Sequence, residues 1–312
     1  MKLKLNIYIS KIFKLISIIR NIKIKTFYHL LLKSSESMPI IERSDNKFGT
    51  FVGLSNDYIY QSAKEQGINE KHFEELASLI IKKDWNVVDV GANIGTHSII
   101  LSKLASDGKV FSFEPQSLTF SLLQNNLLLN SCKNVVSYRF ALTDKEMEIV
   151  SMGTFFYNND KINNGVVGIE KDNLIGDLTI SKKFDTLNLP TIKFIKIDIQ
   201  GSEVIALRGL RETLKSDRPI MIVEVEEGRL KSLGNTSKEL IELLLSYNYT
   251  LFRIMSSYPC DHICVPKENA DEFALSVLKK FSYKVEKIEG EKVELFFENK
   301  EDQNYKRIEI IK

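Results

Sequence analysis

Two acidic residues beside sharp turns are the groups in this sequence best placed to bind a ligand. Asp89 opens the segment Asp89-Val90-Gly91-Ala92-Asn93-Ile94-Gly95, and Glu114 ends the next apolar run as Phe113-Glu114-Pro115. Gly91 and Gly95 allow the backbone to pass close to a ligand and a helix to pack tightly on the preceding strand. A carboxylate such as Glu114 can accept both hydrogen bonds of a ribose 2′,3′-diol. The pattern indicates a site for an adenosine-type cofactor.

The spacing of the glycines separates two kinds of adenosine cofactor. Dinucleotide sites use G-x-G-x-x-G, with the pyrophosphate at the N-terminus of a helix. Here Gly91 and Gly95 are spaced G-x-x-x-G, and no third glycine follows. A buried carboxylate at Asp89 would repel a pyrophosphate, but it would tolerate the ammonium and sulfonium of S-adenosylmethionine. Charge therefore favours the methyl donor, and a non-catalytic α/β module with the same tight turn is the alternative.

These residues need a scaffold that brings the ends of several strands together. Apolar runs predict strands over Asn86–Val90, Lys109–Phe113, Val135–Phe140, Phe194–Ile197, Ile220–Val225 and Leu251–Ile254. Helical periodicity predicts helices over Glu70–Ile81, Thr96–Ala105, Leu118–Asn130, Glu203–Leu214 and Lys238–Tyr247. Strands that alternate with helices indicate a doubly wound α/β fold with a mostly parallel sheet. Ligands of such sheets bind beyond the carboxyl ends of the strands, where Asp89 and Glu114 fall.

Composition divides the chain into four parts. Residues 1–33 form a basic arm, 34–84 a lead-in that contains the first predicted helix, 85–280 the core, and 281–312 a charged, β-rich C-terminal extension. The start of the lead-in, residues 34–60, is predicted as loop with a short strand at Phe48–Val52. Within the core, residues 144–185 are rich in Asn, Gly and Lys and are predicted as an inserted hairpin or loop region.

A family resemblance covers the same residues. Val87–Gly95, Phe113–Pro115 and Lys196-Ile197-Asp198-Ile199-Gln200-Gly201-Ser202-Glu203 closely resemble the FkbM-type methyltransferases, and the resemblance runs from about Asp57 to Glu226. It implies a class I methyltransferase (Rossmann-like) fold with S-adenosylmethionine as cofactor. It implies donor-binding roles for Asp89, Gly91, Asn93, Gly95 and Glu114, and a contact with adenine for the loop from Ala141 to Asp144. Gln200 stands where the family often has Glu, which weakens any metal-cluster hypothesis that needs that charge.

Three acids are candidates for the transfer step. Methyl transfer to a hydroxyl is an in-line displacement, so the site must align the hydroxyl and accept its proton. Asp198, which the class I fold places near the methyl group, ranks first as base or orienting group, with donor binding as its alternative role. Glu224 ranks second. Glu203 ranks third, because an acid at the start of a helix also stabilises the helix dipole. These three acids could instead surround Mg²⁺, but we predict that no metal is required.

The charge distribution argues against nucleic acid as a partner. Residues 1–33 hold eight Lys or Arg and no acid, which leaves 35 basic against 41 acidic residues in the rest of the chain. The body therefore lacks the basic composition of a nucleic-acid-binding protein. The three cysteines show no framework spacing and indicate a reducing compartment. Cys260-Asp261-His262-Ile263-Cys264 is interpreted as a strand over residues 262–265 and not as a zinc site.

The basic arm has an amphipathic pattern. On a helix, Leu5, Ile9, Ile12, Ile16 and Ile19 share one face, with Lys4, Lys11 and Lys14 opposite. The longest uncharged run, Thr26 to Leu32, is too short to span a membrane. The arm is predicted either to lie in a membrane interface or to pack on the body or a partner.

Taken together, the sequence predicts an S-adenosylmethionine-dependent O-methyltransferase acting on a hydroxyl of a sugar or glycan. The expected location is cytoplasmic, with peripheral contact at the inner membrane face through residues 1–33. The alternative acceptor is a hydroxyl of a small natural product or a lipid.

Overall fold

The computed structural model describes residues 40–67, 70–152, 169–170, 177–255, 260–288, 293–299 and 304–310. The predicted amphipathic arm lies outside these residues. Within the described ranges, no helix is long and apolar enough to cross a membrane.

Eight strands form the central sheet: β3 (Val87–Val90), β4 (Val110–Phe113), β5 (Val135–Tyr138), β10 (Phe194–Ile197), β11 (Ile220–Val225), β12 (Tyr249–Ile254), β13 (Cys260–Pro266) and β14 (Val285–Ile288). Their order is β14-β12-β13-β11-β10-β3-β4-β5. The five neighbouring strands β11, β10, β3, β4 and β5 are parallel to one another. β13 runs antiparallel to both β11 and β12. The mostly parallel α/β sheet is confirmed, and it continues to β14, past the predicted core boundary at residue 280.

The helices that accompany the sheet are α1 (Tyr58–Gln66), α2 (Lys71–Ile80), α3 (Thr96–Leu104), α4 (Ser117–Leu129), α5 (Glu203–Gly209), α6 (Arg211–Ser216), α7 (Glu227–Ser232), α8 (Ser237–Ser246) and α9 (Ala270–Phe273). Side chains of α5, α6 and α8 pack in one apolar cluster with the sheet, and side chains of α2, α3 and α9 pack in a second. The sheet is thus covered on both faces. The strands β3 and β10 are buried throughout, as expected for central parallel strands.

Two helix and strand boundaries differ from the sequence prediction. The helix predicted over Glu203–Leu214 is two helices, because the chain turns at Leu210, where Gly209 lies against the carbonyl of Thr143. A Cβ at Gly209 would lie 2.1 Å from that oxygen. The strand predicted over Val135–Phe140 ends at Tyr138 as β5, and the next strand, β6 (Ala141–Leu142), lies beyond the predicted run and pairs with β9 (Asp177–Lys182) in another sheet.

Residues 34–60 are predicted as loop with one short strand, but their described part contains a hairpin of β1 (Ile41–Asn46) and β2 (Gly49–Leu54). Its turn forms because the Asn46 side chain accepts hydrogen bonds from the amides of Phe48 and Gly49. The isolated strand prediction at Phe48–Val52 missed β1, whose alternating exposed and half-buried residues give a weak apolar signal.

Side chains of helix α4 hold this hairpin in place. The Asn126 side chain accepts a hydrogen bond from the Val52 amide at 2.7 Å and donates to the Val52 carbonyl at 3.0 Å. Asn130 makes the same pair of bonds to Thr50, at 2.9 and 2.6 Å. Asn126 also donates to the carbonyl of Ile94, at 2.8 Å. The hairpin is therefore tied to the loop between β3 and α3.

The predicted insertion contains three strands in its described residues, 144–152, 169–170 and 177–185. β7 (Ile149–Met152) pairs antiparallel with β9 (Asp177–Lys182) and with β8 (Ile169–Glu170), and β6 joins the same sheet beside β9. In the C-terminal extension, β15 (Val293–Asn299) and β16 (Asn304–Ile310) form a separate two-stranded sheet. The predicted strand over residues 262–265 is confirmed within β13.

Candidate active site

The turn between β3 and α3 requires both of its glycines. Gly91 has a φ of 82° and Gly95 a φ of 93°, a region that disfavours any side chain. A Cβ at Gly91 would lie 1.8 Å from the carbonyl oxygen of Asp198, and a Cβ at Gly95 would lie 2.7 Å from Leu123. Gly91 thus lets the turn after β3 approach the segment that follows β10. The backbone of Asn93 also has a positive φ, of 50°, and its side chain accepts a hydrogen bond from the Ile94 amide.

Glu114 reaches from the end of β4 to this turn. One carboxylate oxygen accepts from the Asn93 amide and the other from the Gln116 amide, both at 2.9 Å. The side chain is buried, and burial raises the pKa of Glu114 to about 7 even though both amide hydrogen bonds favour the ionised form. Each oxygen keeps a lone pair for a further donor. The carboxylate can therefore bind a diol while it fixes the turn.

Asp89 lies below the turn, fully buried. One of its oxygens accepts from the Ser98 hydroxyl at 2.6 Å, and Ser98 in turn lies 2.8 Å from the Ser112 hydroxyl. Asp89 is also the register partner of Lys196 on β10, so a buried carboxylate and a buried ammonium lie side by side on neighbouring strands. Burial raises the pKa of Asp89, and the Lys196 charge opposes that shift.

Asp198 and Glu224 meet beyond the ends of β10 and β11. The amide nitrogen of Gln200 bridges them, at 3.0 Å from Asp198 Oδ1 and 3.1 Å from Glu224 Oε2. Lys196 Nζ lies 3.1 Å from Asp198 Oδ2. Burial disfavours the ionised form of Asp198, but the Lys196 ammonium outweighs it and lowers the pKa of Asp198 to about 2. Burial and the neighbouring Asp198 charge raise the pKa of Glu224 well above its usual value. These opposite shifts favour a negative charge on Asp198 and a proton on Glu224.

Glu203, the third acid predicted from the sequence, is turned toward the backbone. Its Oε1 accepts from the amides of Ile199 and Gly201, both at 3.1 Å. Burial raises the pKa of Glu203 to about 7. These bonds hold the segment 199–201, and with it the side chain that bridges Asp198 and Glu224. The geometry gives Glu203 a positioning role.

A second polar group adjoins this site, and the sequence analysis did not predict that its members come together. It comprises Glu70 and His72 at the start of α2, His97 in the first turn of α3, and Asp261 on β13. His72 Nε2 lies 2.5 Å from Asp261 Oδ2, and His97 Nε2 lies 3.3 Å from Glu70 Oε2. The register of the sheet connects it to the first site, because Asp261 is the β13 partner of Glu224. The sequence would have indicated this group only if the strand that contains Asp261 had been predicted to pair with the strand that contains Glu224.

The residues predicted to contact adenine lie in the β6 region. Ala141 is buried and pairs with Ser181 on β9. Asp144 directly follows Thr143, whose carbonyl oxygen lies against Gly209. Their contact with adenine stays a prediction.

Several buried polar atoms at the carboxyl end of the sheet lack a hydrogen-bond partner among the described residues. They are Asp89 Oδ1, His97 Nε2, Gln200 Oε1, Ser202 Oγ and Glu203 Oε2. Buried polar groups in folded proteins are rarely left unpaired, so such a concentration marks a place where a ligand or ordered water binds. Three of the five atoms are carboxyl or amide oxygens, and with the carboxyl groups ionised these oxygens only accept, so donors or a cation would complete them.

Comparisons with known proteins place the chain among methyltransferases. The family model for the methyltransferase FkbM domain matches residues 89–251. A hexuronic acid methyltransferase, AglP, of Haloferax volcanii is 28% identical over 174 residues, which cover 53% of this chain and 69% of that protein. Methyltransferase 1 of Beauveria bassiana is 26% identical over 149 residues, which cover 41% of this chain and 59% of that protein.

Among solved structures, the methyltransferase FkbM of Methylobacillus flagellatus aligns with 19% identity and a TM-score of 0.41, over 59% of this chain and 44% of that one. The family match begins at Asp89, includes Glu114, Asp198, Glu203 and Glu224, and covers just over half of the chain. The chain therefore belongs to the FkbM methyltransferase family, and it is an S-adenosylmethionine-dependent methyltransferase.

Proposed function

We propose that this enzyme transfers the methyl group of S-adenosylmethionine to a hydroxyl oxygen of a saccharide, and that it acts at the cytoplasmic face of a membrane. The observation that carries the proposal is the ionised Asp198 carboxylate at the strand end next to the glycine turn, bridged by Gln200 to Glu224. The similarity to a hexuronic acid methyltransferase supports a sugar as the acceptor. The basic arm supports the location.

The residues around the turn fit the donor. Glu114 has a free lone pair on each oxygen for the ribose hydroxyls, and its amide partners already hold it in place. The unpaired acceptor atoms Asp89 Oδ1 and Gln200 Oε1 suit a ligand that brings donors and positive charge. S-adenosylmethionine brings an ammonium, and it supplies an electrophilic methyl group on a sulfonium.

The transfer step assigns distinct tasks to the acids. The acceptor oxygen forms a bond to the methyl carbon as the carbon–sulfur bond breaks and its electron pair stays on sulfur. The hydroxyl proton passes to Asp198, which is ionised at neutral pH and partly exposed. Lys196 holds Asp198 in place from the buried side. Burial and the Asp198 charge raise the pKa of Glu224, which favours its protonated form, and in that form Glu224 can donate a hydrogen bond that orients the acceptor.

The experiment that tests this proposal separates donor binding from transfer. Isotope-labelled S-adenosylmethionine is incubated with the full chain and a panel of neutral sugars, uronic acids, lipid-linked saccharides and small-molecule alcohols, and the products are analysed by mass spectrometry. We expect a methyl ether on a saccharide hydroxyl, and its loss in Asp198→Asn with donor affinity retained. Asp107→Asn, on an exposed loop, is the matched control. Methylation confined to the small-molecule alcohols would reject the saccharide, and full activity of Asp198→Asn would reject its role.

A further inference from the structure

We propose that Glu70, His72 and Asp261 form a binding site for a divalent transition-metal ion, with His97 beside it. This set shares no residue with the three acids from which the sequence suggested a cation site. It joins the start of helix α2 to an antiparallel strand of the central sheet, and Asp261 on that strand is the register partner of Glu224.

The first argument is the geometry of three ligand atoms. One atom each of Glu70, His72 and Asp261 lies within 4.8 Å of the other two. His72 Nε2 and Asp261 Oδ2 are joined by a hydrogen bond of 2.5 Å. This hydrogen bond uses the same nitrogen and oxygen lone pairs that would bind a metal ion. Binding of the ion therefore replaces the proton shared by His72 and Asp261 with a cation. That exchange requires only a small separation of the two side chains.

The second argument is independent and comes from His97. This side chain is buried, only 8% exposed, and its Nε2 finds no hydrogen-bond partner among the described residues. The same atom lies 3.3 Å from Glu70 Oε2 without the alignment of a hydrogen bond. His97 is not in the set of ligand atoms that lie within 4.8 Å of one another. Its unpaired nitrogen would therefore bind a water ligand of the ion rather than the ion itself.

The third argument is that packing fixes the two imidazole rings. The ring of His97 packs against Phe73, with 4.3 Å between centroids, and the ring of His72 meets the edge of Tyr283 at 5.7 Å. Glu70 is the N-cap residue of α2, and His72 lies in its first turn. Asp261 is held by the pairing of β11 with β13. Ligands on packed elements lose little freedom when they bind an ion, which favours affinity.

Local charge also favours a cation. The carboxylates of Asp198 and Asp261 act electrostatically on Glu70. The nearby Lys196 ammonium is bound to Asp198 at 3.1 Å. One imidazole with two carboxylates forms a donor set that suits Zn²⁺, Mn²⁺, Fe²⁺ or Co²⁺ better than Mg²⁺ or Ca²⁺, which prefer oxygen alone.

If the proposed function holds, the ion would lie one strand from Glu224 and could bind the acceptor. A cation that coordinates a hydroxyl oxygen lowers the pKa of that hydroxyl and so eases loss of its proton during transfer. The metal site itself does not depend on that function, because ion binding can be measured with neither donor nor acceptor present.

The test uses Mn²⁺, which has an electron-spin signal and a low affinity for thiols. The full chain is treated with a chelator, desalted and titrated with Mn²⁺ alone. We expect one saturable site per chain, with electron-spin-echo modulation from imidazole nitrogen. His72→Gln and Asp261→Asn should each weaken binding at least about 10-fold and reduce or shift the nitrogen modulation.

Matched controls separate this site from adventitious binding and from misfolding. Glu74→Gln, one turn along α2 and paired with Lys47, and Cys260→Ser, beside Asp261, should bind Mn²⁺ as the wild type does. Circular dichroism and retained S-adenosylmethionine binding establish that each variant is folded. A folded wild-type chain that binds no Mn²⁺, Co²⁺ or Zn²⁺, or whose binding is unchanged in both His72→Gln and Asp261→Asn, would overturn the proposal. Loss of metal binding with donor binding intact leaves the proposed function untouched.

Discussion

At the scale of single residues, Glu114 combines two tasks that are often divided between residues. It fixes the glycine turn through two backbone amides and offers its remaining lone pairs to a ligand. Both tasks need two acceptor oxygens. An amide in its place would set an N–H group against a backbone N–H.

Glu114→Gln should therefore weaken the affinity for S-adenosylmethionine by about 10- to 100-fold, the cost of one charge-assisted hydrogen bond. Isothermal calorimetry measures this directly. Glu212→Gln, whose side chain is 70% exposed, should bind the donor as the wild type does. Equal affinities for Glu114→Gln and the wild type would contradict the assignment of this carboxylate.

The buried acids also predict how stability depends on pH. Burial raises the pKa of Glu203 from 4.5 to about 7, so the folded chain holds this proton more tightly than the unfolded chain. The stabilisation is complete below pH 4.5, where both states are protonated, and is lost as the pH rises through about 7. Between these values the contribution of Glu203 to the free energy of unfolding falls by up to about 1.4 kcal/mol per pH unit.

Urea unfolding of the ligand-free chain at several pH values between 4.5 and 8 tests this slope. Glu203→Gln has no proton to lose, so its stability should fall less steeply than that of the wild type over the same window. Glu114, whose pKa is also about 7, is present in both proteins. Its titration therefore contributes equally to the pH dependence of both unfolding free energies. Parallel curves for the wild type and Glu203→Gln would show that Glu203 ionises as it does in water.

At the scale of elements, Gly91 couples two strand ends. It places the turn after β3 against the carbonyl of Asp198, so the donor loop and the candidate base share one backbone contact. The sequence indicated Gly91 as a position of close approach to a ligand. The structure adds a close approach to the chain itself, which no local pattern could reveal because its partner is distant in sequence.

Gly91→Ala should lower the free energy of unfolding by at least about 3 kcal/mol, because a Cβ meets both a positive φ and a backbone oxygen. Gly228→Ala is the matched control, since a Cβ there has no neighbour within 4 Å. In helix α7 that change should be neutral or stabilising by up to about 1 kcal/mol. Chemical denaturation measures both, and equal effects would contradict the steric argument.

At the scale of the whole molecule, the sequence predicted the central sheet and most helices because their apolar residues recur at clear periods. Asp198 and Glu224 were found because each follows a buried strand. His72 and Asp261 were missed because their proximity depends on β13, an antiparallel strand inserted between β11 and β12. That strand order cannot be read from the periodicity of any one segment. The break of the predicted helix at Leu210 likewise depends on a distant contact with Thr143.

The basic arm concerns the molecule as a whole, and its role stays a prediction. The full chain should sediment with phosphatidylcholine vesicles that contain phosphatidylglycerol, and less so at high salt, because screening weakens lysine–lipid attraction. The chain lacking residues 1–33 should remain in the supernatant. Calorimetry with S-adenosylmethionine controls for folding of the shortened chain. Equal sedimentation of both chains would reject a membrane role for the arm.

The two asparagines of helix α4 that hold β2 also constrain how this protein can diverge. Asn126 and Asn130, one helical turn apart, bond to Val52 and Thr50, two residues apart on a strand. Helix and strand therefore match only in one alignment. Deleting or inserting one residue in β2 would turn its buried side chains outward and offer the asparagines the wrong backbone groups. We expect that length changes in this hairpin survive in homologues only at its turn, or in steps of two.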